Sequence, residues 1–175
     1  GSQIYTNGAK ILAYRYEQAT DSALRVAIRD SIMQLHDDRI KYFDDARYSD
    51  AYVLGLKGVD YLTYFPEDEH AMPAYGWLKE AVTSLGAKAQ INMIRKFIEV
   101  SYNIYKLDSD QYGDQFLADY QMASAALEQI ATAGGKNATH AAGAKAYVDR
   151  LYAASGAADC GQMDEMYASV VAESA

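Results

Sequence analysis

The sequence has few of the residues that interrupt helices or cross-link a chain. Among its 175 residues are 2 prolines and 1 cysteine, Cys160. Because proline breaks helix interiors, its scarcity permits long helices. A disulfide framework or a CxxC metal site needs at least two cysteines, so both are excluded. Apolar residues recur at every third or fourth position rather than alternating, which predicts an all-α fold.

Dense basic runs and long apolar runs are also missing. The formal net charge is −8, the sequence pI is near 4.8, and the 16 Lys and Arg residues form no cluster. Since phosphate groups are bound by clustered positive charge, this balance argues against a nucleic-acid partner and against anionic membrane surfaces. No apolar run reaches the roughly 20 residues of a membrane-spanning helix. We therefore expect no nucleic-acid binding and no membrane insertion in this sequence.

Catalytic and metal-binding patterns are sparse. Cys160 is the one thiol, and no spacing pairs it with His36, His70 or His140, so we expect no enzyme activity. Glu67-x-x-His70 has the spacing of a di-metal carboxylate site in a helical bundle, but such a site needs the motif twice. The sequence contains one copy, so we expect a solvated loop there.

The segment from Asp108 to Asp119 resembles a calcium loop more closely. It has acids at the first, third and twelfth positions of an EF-hand-like loop and a glycine at the sixth. Tyr112, however, replaces the Asp or Asn expected at the fifth position, and Asp119 is shorter than the usual bidentate glutamate. We favour an acidic loop that caps the next helix, and we expect no metal or other cofactor.

Eight helical segments are predicted. They cover residues 3–18, 22–43, 49–64, 71–85, 88–106, 114–133, 138–154 and 159–173. Asp21 or Ser22 can cap the second segment, Ser49 can cap the third, and Gly86 can end the fourth. Helices joined by short turns fold back antiparallel, so the segments give about four helix pairs in a single domain covering residues 1–175.

The first helices of these pairs share a frame in which a small residue lies between two large ones. The frames are Ile4-x3-Gly8-x2-Ile11, Leu54-x3-Gly58-x2-Tyr61, Phe97-x3-Ser101-x2-Ile104 and His140-x3-Ala144-x2-Tyr147, and their small positions are spaced by 50, 43 and 43 residues. A small residue lets two helices approach closely where they cross, while large neighbours fill the groove. We therefore predict that helices cross at these small positions.

The second helices give an independent period. Ala74-x3-Leu78-x2-Ala81 in the fourth segment is matched by Ala118-x3-Met122-x2-Ala125 in the sixth, at an offset of 44 residues. The first-helix frame repeats after 43 residues and the second-helix frame after 44 residues, so the two periods differ by one residue. This agreement predicts a repeated helix-turn-helix unit.

Together these frames resemble the tetratricopeptide (TPR) repeats, helix-turn-helix units that stack into a right-handed superhelix. One repeat is matched by Gly58, Tyr61, Ala74, Leu78 and Ala81, and a second by Phe97, Ser101, Ile104, Ala118, Met122 and Ala125. Leu54 stands where the family has tryptophan, and Lys57 and Val100 stand where it has leucine. The resemblance implies an all-α, TPR-like right-handed solenoid of about four antiparallel helix pairs.

The resemblance also implies a non-catalytic scaffold that binds a protein or peptide partner in its concave groove. By the motif register, the groove residues are Tyr52, Val59, Thr63, Arg95, Tyr102, Tyr105 and Lys106. Chaperone-tail binders of the family hold a terminal carboxylate at positions that correspond here to Gly55, Val59, Ile98 and Tyr102. These residues do not favour a carboxylate clamp, so we expect an aromatic groove suited to an extended peptide.

Three longer phrases resemble a narrower group. RIKYFDD (39–45), AYGWLKEAV (74–82) and SGAADC (155–160) are similar to TPR-containing proteins of Bacteroidetes that are larger and exported to the cell envelope. The similarity implies the N-terminal part of a longer periplasmic or envelope protein. Gly1-Ser2 itself resembles the remnant of a removed expression tag. The similarity leaves a second function open, a glycan-binding helical module, because SusD-like binding lipoproteins of that phylum are built on TPR units.

Overall fold

The computed structural model describes residues 3–43 and 48–157. Within these ranges the chain forms seven α-helices and one 3-10 turn, and no strand. The helices are α1 (Gln3–Gln18), α2 (Ser22–Tyr42), α3 (Asp50–Tyr64), α4 (Met72–Leu85), α5 (Ile91–Tyr105), α6 (Ser109–Thr132) and α7 (Ala138–Ala154), and the turn is Gly86–Lys88. The all-α prediction is confirmed. The predicted eighth helix and Cys160 lie outside the described residues.

Side-chain caps and one glycine fix several helix ends as predicted. Asp21 accepts a hydrogen bond from the backbone N–H of Leu24 at 2.7 Å, and α2 begins at the next residue. Ser49 accepts from the N–H of Tyr52 at 3.4 Å at the start of α3. Gly86 has a φ of +51°, a left-handed conformation that glycine adopts without strain, and it ends α4.

The acidic segment after α5 is helical rather than a loop. Asp108 accepts a hydrogen bond from the N–H of Gln111 at 2.9 Å, so α6 begins at Ser109, five residues before the predicted start at 114. A helical backbone cannot wrap around a cation as an EF-hand loop does. Among the described residues there is also no group of three or more His, Cys, Asp or Glu side chains that could hold a metal. The cap was predicted correctly, and the helix is longer than expected.

The chain divides into two compact units, Gly1–Leu85 and Gly86–Ala175. In the first unit, α1 packs on α2, α2 on α3 and α3 on α4. The α1–α2 pair is antiparallel, because Arg25 lies over the Tyr16 ring while Tyr5 contacts Phe43 at the opposite end. This pairing follows from the short connections between the helices.

In the second unit, α5 packs on α6, α6 on α7, and α5 also on α7. Phe116 of α6 contacts Tyr152 of α7 at a ring-centroid distance of 5.6 Å, whereas Lys145 and Glu128 form an ion pair at 3.7 Å farther along the two helices. These contacts make α6 and α7 antiparallel. Helix α5 therefore contacts both of the helices that follow it, α6 and α7.

The crossing of α3 and α4 is a close approach at Gly58. A Cβ atom at this position would lie 2.6 Å from Cγ of Leu78 and 3.3 Å from the carbonyl oxygen of Ala74. Ala74, Leu78 and Ala81 are fully buried, as the second-helix frame predicts. The close approach at Gly58 is confirmed.

The crossing of α5 and α6 contains a hydrogen bond instead. Phe97, Ser101 and Ile104 are fully buried, as their frame predicts. The hydroxyl of Ser101 donates to Oδ2 of Asp119 at 2.7 Å, and Asp119 is itself fully buried. The small position is therefore occupied by a side chain that also supplies a donor to a buried carboxylate.

The second-helix frame was misplaced in α6. Ala118 and Ala125, which should be buried, are exposed. The buried residues that repeat the α4 pattern of Ala74, Leu78, Ala81 and Val82 are Asp119, Ala123, Ala126 and Leu127, at an offset of 45 residues instead of 44. Alanines occur on more than one face of α6, so their spacing alone could not identify the buried face.

The first-helix frame holds only in part. In α1 a Cβ atom at the small position Gly8 would lie 3.3 Å from Cδ2 of Leu35 in α2, but the large positions are not buried, and in α7 the large member His140 is exposed. Ile4 and Ile11, its large members in α1, are 72% and 61% exposed. By contrast Gly58, Ser101 and Ala144, at successive spacings of 43 residues, are all buried. The same period in three helices supports a repeated packing unit within the described chain.

Lys57, which replaces the leucine of the family pattern, is buried at the junction of three helices. Its ammonium group donates to the carboxylate of Asp37 in α2 and lies 4.1 Å from the centroid of the Trp77 ring in α4. Trp77 also packs edge-on against Tyr61 at 5.7 Å. A lysine is tolerated here because its charge has both a carboxylate and an aromatic face.

Candidate functional site

The predicted groove residues fall into two groups, one in each compact unit. Tyr52, Val59 and Thr63 lie on one face of α3 in the first unit, since they are seven and four residues apart. Tyr52 packs against Tyr48 at 5.0 Å, and Thr63 donates a hydrogen bond back to the carbonyl of Val59 at 3.0 Å. The structure brings these three together as a small, partly exposed face.

Tyr102, Tyr105 and Lys106 form a cluster at the C-terminal end of α5. The rings of Tyr102 and Tyr105 lie 5.7 Å and 4.9 Å from the ring of Phe116, which is fully buried in α6. The ammonium nitrogen of Lys106 lies 4.9 Å from the centroid of Tyr102. Much of this aromatic surface is therefore used in packing, although both tyrosines are partly exposed.

Arg95 belongs to a polar network between α5 and α7. Its guanidinium carbon lies 4.8 Å from the centroid of the Tyr147 ring, and Nη2 is 3.5 Å from Oε1 of Glu99. The ammonium group of Lys96 binds the other oxygen of Glu99 at 2.7 Å. Burial, followed by the charge of Glu99 and a hydrogen bond with it, raises the pKa of Tyr147. The hydroxyl therefore stays protonated at neutral pH and can donate to Glu99.

A stripe of polar residues follows α5 beside this network. Asn92, Lys96, Glu99 and Asn103 are spaced by four, three and four residues, so they lie on one face of the helix. We call these four residues the polar face of α5. They are exposed or partly exposed, while eight other residues of α5 are buried. The surface can present amide, ammonium and carboxylate groups along about three helical turns.

Only part of this surface is evident from the sequence. Arg95 and Tyr102 were predicted, but the polar face and Tyr147 were missed. The available signal was the helical spacing of polar residues within an otherwise apolar helix. Gly55 and Ile98, which correspond to carboxylate-clamp positions of TPR proteins, are buried.

A cavity of about 410 Å³ extends the polar face at its N-terminal end, because Asn92 belongs to both. Its wall comes from the 3-10 turn and the first residues of α5 and α7. Gln90, Asn137 and His140 supply hydrogen-bonding groups. Such amide and imidazole groups can both donate and accept, which suits a polar ligand of either sign.

Two other tyrosine hydroxyls are held by carboxylates. Tyr61 donates to Asp68 at 2.8 Å, and Tyr120 donates to Asp149 at 3.1 Å. Burial, with the hydrogen bond and charge of Asp68, raises the pKa of Tyr61 to about 12, and burial beside Asp149 also raises the pKa of Tyr120. These bonds are structural, since each joins a helix to a neighbouring segment.

We expect stability to fall as Tyr61 ionises. Its pKa is raised above the ordinary value of 10.0, so its contribution is fully present below about pH 10 and is lost as the pH rises toward 12. In an ultraviolet titration of tyrosinate, Tyr61→Phe should remove a component near pH 12, whereas Tyr14→Phe, at an exposed residue, should leave that component unchanged. An unaltered high-pH component in Tyr61→Phe would contradict this assignment.

None of the helices in the described part of the chain combines the length and apolarity needed to cross a membrane. No protein-family model matches the chain, and no curated protein or solved structure matches it either. Its function is therefore argued from the geometry of α5 and α7.

Proposed function

We propose that this protein is a non-catalytic interaction module, a TPR-like right-handed helical solenoid that binds an extended segment of a partner protein. The observation that carries the proposal is the polar face of α5. Helix α5 buries eight residues, but keeps four polar residues in a continuous open stripe next to α7. Core packing does not require amide and charged groups at this regular spacing.

The chemistry of the surface suits a peptide backbone. The side chains of Asn92 and Asn103 each offer two N–H donors and a carbonyl acceptor, the groups that pair with an extended main chain. Tyr147 and Tyr102 add partly exposed aromatic area, which binds apolar side chains with little loss of conformational entropy. Arg95 and Lys96 outnumber Glu99 by one charge, so the surface favours a peptide with an acidic residue.

Two features of the packing support the solenoid part of the proposal. Small buried residues recur at 43-residue spacing in α3, α5 and α7, and α5 contacts both α6 and α7. In stacked helix pairs, the first helix of each pair packs on its own partner and on the next first helix. We also propose a periplasmic or envelope location, which rests on the sequence resemblance alone.

The glycan-binding alternative has less support on this surface. Sugar rings stack on open aromatic faces, whereas Tyr102 and Tyr105 pack against Phe116, and Lys106 lies by the ring of Tyr102. The large number of tyrosines, which first suggested this function, is accounted for in part by such packing.

A peptide-display selection on the immobilised protein tests the proposal. Selected peptides would be measured by fluorescence anisotropy with wild type, with Lys96→Ala plus Asn103→Ala, and with the matched control Gln121→Ala plus Lys136→Ala at exposed positions of the second unit. We expect at least about tenfold weaker binding to the first double variant, equivalent to about 1.4 kcal/mol, and unchanged binding to the control.

Circular dichroism should show that both double variants keep their helical content. Equal affinities for wild type and the polar-face variant would overturn the choice of surface, and failure to enrich any peptide would overturn peptide binding. Binding on a glycan array that is lost in Tyr102→Ala would favour the sugar-binding alternative.

A further inference from the structure

A second cavity lies within the first unit, between α1, α2 and α3. Its volume is about 200 Å³, and Ala9, Leu35 and Leu56 form much of its wall. Lys10 lines it from α1 and is exposed. The cavity is smaller than the pockets of roughly 300–1,000 Å³ that bind drug-sized ligands. Its size suits a group of only a few non-hydrogen atoms.

The cavity is also lined by a buried arginine for which no anionic partner is found among residues 3–43 and 48–157. Arg39 is only 5% exposed, and its Nε atom has no hydrogen-bond partner. Among the described residues it forms no ion pair, and its guanidinium carbon lies 5.3 Å from the centroid of the Tyr48 ring. A buried charge is costly unless it is paired and hydrogen-bonded. The guanidinium thus leaves room for an anion from outside the described chain.

The carboxylate that lines the same cavity is already engaged. Oδ2 of Asp60 lies 2.7 Å from Nε2 of His36, and the side chain of His36 is 7% exposed. This bond holds the carboxylate against the imidazole of α2. Asp60 therefore does not pair with Arg39, although both line one small space.

We infer that this cavity binds a small monocarboxylate with a short apolar tail. A carboxylate matches the planar fork of a guanidinium, which can donate two parallel hydrogen bonds to its oxygens. The tail would lie against Ala9, Leu35 and Leu56, and the charge of Lys10 would attract the anion at longer range. A dianion such as phosphate fits less well, because Asp60 repels it more strongly.

A carboxylate with a short apolar tail occurs in two kinds of ligand, a free short-chain carboxylic acid and the C-terminal residue of a peptide. Sodium butyrate serves as the first probe, with butyramide as its uncharged control. Acetyl-Gly-Ala-Val with a free C-terminus and with an amidated one distinguishes the second source. Inorganic phosphate tests the preference for a monoanion.

Calorimetric unfolding in a buffer without carboxylate or phosphate gives the readout. At 100 times its dissociation constant, butyrate or the free-acid peptide should raise the unfolding temperature of the first unit by at least about 5 °C. Butyramide and the amidated peptide should not. Arg39→Met should abolish the rise and, without ligand, unfold at the wild-type temperature or above it, because it removes a buried charge with no described partner. Arg15→Met, at an exposed arginine of α1, is the matched control.

Ala9→Leu provides a second variant that fills the cavity while keeping Arg39, and it should also abolish the response. The inference is overturned if no carboxylate raises the unfolding temperature, if Arg39→Met responds like wild type, or if phosphate stabilises more than butyrate. These outcomes are independent of peptide binding to α5, which lies in the other unit.

Discussion

Gly58→Ala is expected to destabilise the first unit by about 1–2 kcal/mol. The added Cβ would lie 2.6 Å from Cγ of Leu78, and carbon atoms do not approach so closely without displacement. Leu78 is fully buried, and the Ala74 carbonyl oxygen at 3.3 Å belongs to the backbone, so neither can move freely. Overpacking of a dense core costs about 1–3 kcal/mol, while the better helix propensity of alanine returns at most about 1 kcal/mol.

The free energy of unfolding of Gly58→Ala would be measured by urea denaturation, with Gly76→Ala as the control for a glycine-to-alanine change without a steric clash. Gly76 is also helical, in α4 of the same unit, and an added Cβ there would meet nothing within 4 Å. Gly76→Ala should therefore gain up to about 1 kcal/mol from helix propensity alone. If both variants gained stability, the close crossing of α3 and α4 would be wrong.

Ser101→Ala is expected to lower the free energy of unfolding of the second unit by about 1.5–3 kcal/mol, which is the second large effect. This substitution removes the hydroxyl that donates to Asp119 at 2.7 Å, and Asp119 is fully buried. A hydrogen bond to a charged group contributes about this much, and a buried carboxylate that loses a donor keeps its desolvation cost. Alanine is smaller than serine, so the variant introduces no steric clash.

Ser124→Ala is the matched control in the same unit. Its hydroxyl donates to Asp149 at a longer 3.4 Å, and Asp149 also accepts from Tyr120 and Lys145. Ser124→Ala should lower the free energy of unfolding by less than about 1 kcal/mol, because Asp149 keeps its two shorter hydrogen bonds. A double-mutant cycle of Ser101→Ala and Asp119→Ala should give a coupling energy of at least about 1 kcal/mol. Additive losses would mean that the two side chains act independently.

Much of the fold could be predicted because its signals are local. Caps at Asp21 and Ser49, the glycine that ends α4, and the large-small-large frames around Gly58 and Ser101 depend on residues within a few turns of one another. The α6 register failed for the opposite reason. Which alanines are buried depends on how α6 rotates against α5 and α7, and the spacing of alanines does not encode that rotation.

The candidate sites were harder to predict than the helices. Arg95 lies on a partly exposed face, and its contact with Tyr147 joins residues 52 positions apart in the chain. Arg39 carried no signal at all, because its burial depends on how three helices enclose a cavity. Such information is tertiary and appears only once the helices are packed.

The bond between Ser101 and Asp119 has a consequence for how α6 finds its place. A helix rich in alanine can rotate or slide against its neighbours at little cost, since its small side chains form similar surfaces on several faces. Any such slip would leave the Asp119 carboxylate facing apolar side chains without its donor. In α3 and α4 the equivalent positions, Gly58 and Ala74, select one arrangement by shape. In α5 and α6 the buried pair of Ser101 and Asp119 adds a polar selection to the packing of Phe116 and Leu127, so the orientation of α6 is defined by hydrogen bonding as well as by shape.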